Sequence, residues 1–113
     1  MISIIKNTDN NLEITFKDED GVAINITGYS ILFTLKRECD LRKSDDEALI
    51  KKTITEHKDA VNGISELVLS NEDTDISTGY YYWDLRLIKD GVITQTQRGK
   101  LEVTQGVTTR KLN

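Results

Sequence analysis

The sequence predicts an all-β fold, an antiparallel β-sandwich of seven to eight strands, on three observations. Apolar residues recur at every second position through most of the 113 residues, the spacing that lines one face of a strand. Asx-Gly pairs separate the alternating runs, and such pairs readily take the positive φ angles of tight hairpins. No apolar stripe at helical spacing competes with this pattern. Strands are expected near 11–17, 22–26, 29–37, 48–55, 63–69, 80–89, 92–98 and 100–104, with turns every 8–12 residues as in a sandwich.

Leu12, Ile14 and Phe16 alternate with Glu13, Thr15 and Lys17, so the first run has one buried and one wet face. Asp20-Gly21 turns it into the second run. Ile31, Phe33 and Leu35 then alternate with Leu32, Thr34 and Lys36. The charged stretch Glu38-Cys39-Asp40-Leu41-Arg42-Lys43-Ser44-Asp45-Asp46-Glu47 reads as a surface loop. Ser44 to Glu47 has the form of a capping box, which would start a short helix through Ala48, Leu49 and Ile50. The even spacing of Ile50 and Ile54 and the β-formers Thr53 and Thr55 favour a strand from about Ala48 instead. Asn62-Gly63 precedes the next strand. In the run from Tyr80 to Ile88, Tyr81, Trp83, Leu85 and Leu87 share one face and Tyr80, Tyr82, Asp84 and Arg86 the other. Asp90-Gly91 joins this run to the following one with almost no slack. Gly99 interrupts the last alternation between Ile93 and Leu101, which predicts a β-bulge or bend there.

One domain accounts for the chain, 1–113, with a core over about 11–104 and a tail at 105–113 that trails away or docks on a partner. Nineteen acidic against 15 basic residues give a net charge of −4, which argues against a nucleic-acid backbone binder. Apolar stretches of a few residues cannot span a bilayer, so no membrane partner is expected. The start Met1-Ile2-Ser3-Ile4-Ile5-Lys6 lacks the layout of a signal peptide, and synthesis without export is expected.

The reactive inventory is small. Cys39 sits between Glu38 and Asp40, the opposite of the electropositive setting that a nucleophilic thiolate needs. His57 lies in the polar stretch Glu56-His57-Lys58-Asp59 and reads as a solvent-exposed loop residue rather than a general base. One Cys and one His cannot build a typical structural zinc site. The acidic clusters Asp18-Glu19-Asp20, Asp45-Asp46-Glu47 and Glu72-Asp73-Thr74-Asp75 lack the spacing of a calcium loop and read as solvated turns. No phosphate loop or nucleophile elbow is present. No enzyme activity, cofactor or metal is expected, and a small hydrolase is set aside for want of a triad.

Tyr80-Tyr81-Tyr82-Trp83 is the most informative cluster. Alternation assigns Tyr81 and Trp83 to the core and leaves Tyr80 and Tyr82 outward, where partner contact and cross-strand packing compete. Ser77-Thr78-Gly79-Tyr80-Tyr81 is similar to the tyrosine corner of immunoglobulin-like sandwiches, with Tyr81 as the corner residue and Gly79 as the tight approach. No second cysteine exists for the disulfide of antibody-type domains.

Four ordered segments then resemble one family. They are Asp20-Gly21 with Ile26-Thr27-Gly28-Tyr29 and Ile31-Leu32-Phe33-Thr34-Leu35-Lys36; Asp46-Glu47-Ala48-Leu49-Ile50-Lys51-Lys52-Thr53; Thr78-Gly79-Tyr80-Tyr81-Tyr82-Trp83-Asp84-Leu85; and Asp90-Gly91 with Gly99-Lys100-Leu101-Glu102-Val103 and Val107-Thr108-Thr109-Arg110. Together they are similar to the immunoglobulin-like N-terminal domain of phage baseplate upper proteins and related tail or fibre components. The proline common near two of these segments is missing here. The long C-terminal region of many members does not follow Asn113, which favours a self-contained adaptor, decoration or attachment subunit.

The resemblance implies a non-enzymatic structural protein of a phage or prophage particle, made in the host cytoplasm and residing in the virion. Its partners would be other virion proteins and further copies of itself. The second reading is a carbohydrate-binding or host-adhesion module on the same fold, with Tyr80 and Tyr82 as a platform for a host surface glycan.

Overall fold

The computed structural model describes residues 1–107, with Gln95 and Thr96 described by backbone only. Seven strands run in the order β1 (Ile2–Ile5), β2 (Asn10–Thr15), β3 (Ser30–Lys36), β4 (Ile50–Ile54), β5 (Ile64–Leu69), β6 (Gly79–Lys89) and β7 (Val92–Thr104). They form a five-stranded mixed sheet, β1-β7-β6-β3-β4, and a two-stranded antiparallel sheet, β2-β5. Both sheets feed a single apolar cluster. Phe33, Leu35 and Ile31 of β3, Leu85 and Leu87 of β6 and Leu101 and Val103 of β7 meet Ile14 of β2 and Leu67 and Leu69 of β5. Phe16 and Ile26, outside the strands, are fully buried between them. The period-2 pattern therefore buries one face of each sheet against the other, as side chains that alternate across a strand require.

The strand map departs from expectation in four places. Ile2–Ile5 is a strand, parallel to Leu101–Thr104, and Ile4 reaches the core. Residues 22–26 are not a strand. Their amides bond to scattered acceptors, Ile24 N–H to Phe16 O and Ile26 N–H to Ala60 O, so only the isolated Lys17–Ala23 bridge forms. The last two expected strands are one, because β7 continues through Gly99 in register with Trp83. The bulge falls instead between Leu87 and Ile88, where the partners jump from Gln95 to Ile93. At Ser44 the helix through Ala48, Leu49 and Ile50 does not form. Ser44 Oγ accepts from Asp46 N–H at 3.2 Å over a one-turn 3-10 segment, Asp45–Glu47, and the preferred strand follows, starting at Ile50 rather than Ala48.

Turn chemistry also sorts the three Asx-Gly pairs. Asp90 and Gly91 have φ of 51° and 78°, the two positive values of a two-residue hairpin loop. At the other two pairs only the glycine is left-handed. Gly63 closes a four-residue loop over Asp59–Ile64, and Gly21 ends a turn in which Asp18 Oδ1 accepts from the amides of Asp20 and Val22. Of the expected tail, 105–107 follow β7 outside any strand, and the remainder lies outside the described residues.

Candidate functional site

The outer face of the five-stranded sheet carries side chains that the core does not use. Cross-strand registers set it out in rows: Lys36, Tyr82 and Lys100; Thr34, Asp84 and Arg98; Leu32 and Arg86; Ser30, Ile88 and Ile93. All of these but Ser30 line an open trough of about 780 Å3, flanked by Leu41 and Asp45 from the loop before β4.

Charge in this trough is unevenly matched. Asp84 faces Arg98 across the ladder, lies one step from Arg86 along β6, and stands diagonal to Lys36 and Lys100. Neighbours at such positions are within side-chain reach of one another. Two of the four cations are engaged by carboxylates. Lys36 Nζ is 3.0 Å from Asp45 Oδ1 and donates to Lys43 O at 2.9 Å, and Arg86 Nε is 3.6 Å from Asp84 Oδ2. Lys100 Nζ lies 5.6 Å from the centre of the Tyr82 ring, a cation–π contact, and Arg98 makes no ion pair among the described residues. Four cations thus share the trough with the carboxylates of Asp84 and Asp45, beside Leu32 and Ile88, and Glu102 is the next outward residue of β7 after Lys100.

The expected site residues do not converge on one place. Tyr80 is 61% exposed and opens onto a second, shallower depression beside Arg37 and Cys39, whereas half-buried Tyr82 lies in the trough. Tyr81 is buried, and its hydroxyl donates to Ser77 O four residues back. Burial lifts the Tyr81 phenol above its ordinary value, against the opposing charge of Arg37. Gly79 has φ of 142° with open space beyond its missing Cβ, so backbone conformation rather than room calls for glycine there.

Trp83 corrects the core assignment. It lies on the inward-facing register but stays half-buried at the rim, its ring 6.3 Å from that of Phe33 and its Nε1–H donating to Lys100 O at 3.2 Å. Its indole rests on Gly99, where a Cβ would approach within 2.9 Å of Cζ2. Gly99 is therefore a socket for the ring rather than a bend.

His57 is another correction. It is half-buried and ties two elements together: Nε2 lies 2.7 Å from Tyr29 O and Nδ1 3.0 Å from Ser65 Oγ. A carbonyl can only accept, so Nε2 carries the proton, and the buried Ser65 hydroxyl donates to Nδ1 in the neutral ring. The charged residues around it in sequence concealed this, because the partners come from 28 positions upstream and from β5.

The acidic clusters act as turn hardware. Asp73 accepts from Ser70 N–H and pairs with Lys52 Nζ, each at 2.8 Å. Burial raises its carboxyl, but Lys52 and Ser70 outweigh this and hold it below the usual range. Asp40, buried in the 3-10 turn Glu38–Asp40, is clasped by Lys43 at 3.1 Å and Arg37 at 2.8 Å, which together lower its carboxyl. Cys39 beside it is exposed. Among the described residues, no group of three or more His, Cys, Asp or Glu is placed to hold a metal, and no helix is long and apolar enough to cross a membrane. The chemistry this surface offers is contact: aromatic and aliphatic area beside exposed cations. No protein-family model and no curated protein matches the chain.

Proposed function

We propose that the protein is a non-enzymatic structural or attachment subunit of a phage or prophage particle, working through protein–protein contact. The make-up of the outer sheet face carries this reading. Tyr, Trp and Arg are enriched at interface centres, where a desolvated apolar patch is rimmed by charge. Tyr82, Arg86 and Arg98 supply the tyrosine and arginines of that set here, with Ile93 half-exposed at the margin.

The strand order supports placing the domain among immunoglobulin-like sandwiches. The first strand runs parallel to the last on one sheet, the second and fifth strands form the facing sheet, and a tyrosine near the start of the penultimate strand bonds back to the preceding turn. Such a frame holds its faces rigid, and copies arrayed on a symmetric particle multiply a modest contact through avidity. Homo-oligomers in the particle, with other virion proteins as neighbours, belong to this reading.

The glycan-binding reading calls for Tyr80 and Tyr82 as one flat platform, and the two open onto different depressions. The test of the proposed function is co-expression with the products of the neighbouring reading frames, followed by affinity purification. A stoichiometric complex with a tail, baseplate or capsid protein is expected. Recovery of the protein alone, from these cells and from purified particles, overturns the proposal.

A further inference from the structure

We infer that the trough on the outer face of β3, β6 and β7 is the docking face for an acidic, extended segment of a partner protein. The inference rests on the protein-contact reading above and names the surface and the partner's chemistry.

Charge complementarity is the argument. The chain carries a net charge of −4, yet four cations, Lys36, Arg86, Arg98 and Lys100, line the trough against two carboxylates, Asp84 and Asp45. Asp45 and Asp84 answer only two of the four. Arg98 and Lys100 stay exposed and side by side in register on β7, with no ion pair among the described residues. Arginine presents a planar fork that takes a carboxylate through two parallel N–H···O bonds. Arg86 meets Asp84 at a loose 3.6 Å through Nε, and Arg98 is exposed.

The shape of the site narrows the ligand. The cations follow the strand direction along β6 and β7, and Leu32 and Ile88 lie on the floor with Ile93 at one end. A compact anion would use the charges and leave the floor wet. A chain that alternates acidic and apolar side chains satisfies both, since every second residue of an extended segment points the same way. The partner is therefore a protein segment with closely spaced Glu or Asp and interleaved aromatic or aliphatic residues.

Trp83 is the only tryptophan; its indole lies on the inward register but bonds to Lys100 O, so its emission reports a disturbance of β7 at the trough. The probe is a random copolymer of glutamate and tyrosine, with heparin as the polysaccharide control. Fluorescence is excited where tyrosine is silent. Saturable change with the copolymer is expected, weakening as salt rises. Affinity should fall at least tenfold in Arg98→Glu/Lys100→Glu. Both residues are exposed, and Arg98→Gln/Lys100→Gln serves if the reversal variant loses its native circular dichroism. No saturable change, or equal affinity in the double variant, overturns the inference. Tighter binding of heparin reassigns the trough to anionic polysaccharide. Self-association in light scattering that the variant abolishes reassigns it to a second copy; either result refutes the acidic-segment proposal. The co-purification above separates the two claims. Wild type and double variant joining the complex equally well sinks the trough alone, whereas wild type failing to join sinks the functional reading.

Discussion

Replacing Gly99 with alanine tests whether that glycine is a socket for Trp83 or merely a strand residue. The added Cβ would lie 2.9 Å from Cζ2, 3.1 Å from Cε2 and 3.2 Å from Nε1 of the indole. Carbon atoms rest about 3.5–4.0 Å apart, so the ring must lift by about 0.6–1.1 Å. Lifting strains the Nε1–H bond to Lys100 O, already 3.2 Å long, and a typical bond contributes about 1 kcal/mol. It also loosens the contact with Phe33, and such ring pairs contribute about 0.5–1.5 kcal/mol. Alanine recovers about 0.5–1 kcal/mol of the backbone entropy that glycine loses in a strand. The net is a loss of roughly 0.5–2 kcal/mol, within the usual range for overpacking. Urea unfolding followed by circular dichroism reads that loss, and the native Trp83 emission should shift to the red as the ring moves toward water. The decisive comparison is Gly99→Ala in a Trp83→Phe background. With no indole edge to strike, alanine should stabilise the protein there by about 0.5–1 kcal/mol. A substitution that costs the same in both backgrounds would refute the socket, and so would one that stabilises the protein carrying Trp83.

Gly63→Ala places a Cβ 2.6 Å from both Phe16 O and Ile24 O at φ of 71°; the rigid backbone cannot yield, and thermal melting should show a loss above about 3 kcal/mol. Gly91→Ala, with equally positive φ but open space around it, should cost only about 1–2 kcal/mol in the same assay. Tyr81→Phe removes the hydroxyl that donates to Ser77 O and should cost about 0.5–1.5 kcal/mol. Because burial raises the Tyr81 phenol above 10.0, its contribution holds below that pH and is lost as pH rises through the folded value; the variant should lack that share of alkaline destabilisation in pH-dependent denaturation. Asp73 is held below 3.8 despite its burial by Lys52 and Ser70, so its contribution is present above 3.8 and lost on further acidification; Asp73→Asn should flatten the acid limb of the stability profile. His57→Ala strands the fully buried Ser65 hydroxyl and should cost about 1–3 kcal/mol by chemical denaturation.

How much the sequence disclosed depends on whether a feature is local. Period-2 alternation finds β2, β3, β5 and β6, because each pattern is set by one strand's own burial. Asp90-Gly91 is legible for the same reason, since two positive φ angles are a demand of the dipeptide itself. The failures involve partners distant in sequence. Ile2–Ile5 is a strand because Leu101–Thr104 runs parallel beside it, nearly a hundred residues away. Residues 22–26 read as a strand, but the amides of Ile24 and Ile26 serve two unrelated carbonyls, Phe16 O and Ala60 O. Gly99 shows the same limit in another form. A glycine that breaks an apolar alternation resembles a bulge in one dimension, and only the register opposite Trp83 reveals the ring above it. His57 looked solvated because Glu56, Lys58 and Asp59 surround it in sequence, yet its imidazole joins Tyr29 to β5. The trough was half visible, since alternation put Tyr82, Asp84 and Arg86 on one face. Arg98 and Lys100 joined them only once β6 and β7 were aligned.

That alignment also bears on why the face has the residues it has. The inner face of the β3-β6-β7 ladder is constrained by packing: Phe33 meets Leu85 and Ile31 meets Leu87, and losing side-chain volume there would leave cavities. The outer face has no such constraint, and a pleated surface accepts Thr, Val or alternating charge at low cost. Alternating charge would have been the stabilising choice, and the loop before β4 shows it in use, where Lys43 and Arg37 both clasp Asp40. The trough nevertheless holds four cations against the carboxylates of Asp84 and Asp45, with the Tyr82 ring beside Lys100. Reversing Arg98 would set a like charge directly opposite Asp84 and cost about 0.2–1 kcal/mol of stability, so the cleaner test is Lys100→Gln. That substitution removes a cation with no ion pair among the described residues and should cost at most about 1 kcal/mol, the worth of an exposed cation–π contact, while weakening binding of the acidic probe. Lost binding with stability nearly unchanged separates a surface shaped for a partner from one shaped by the fold.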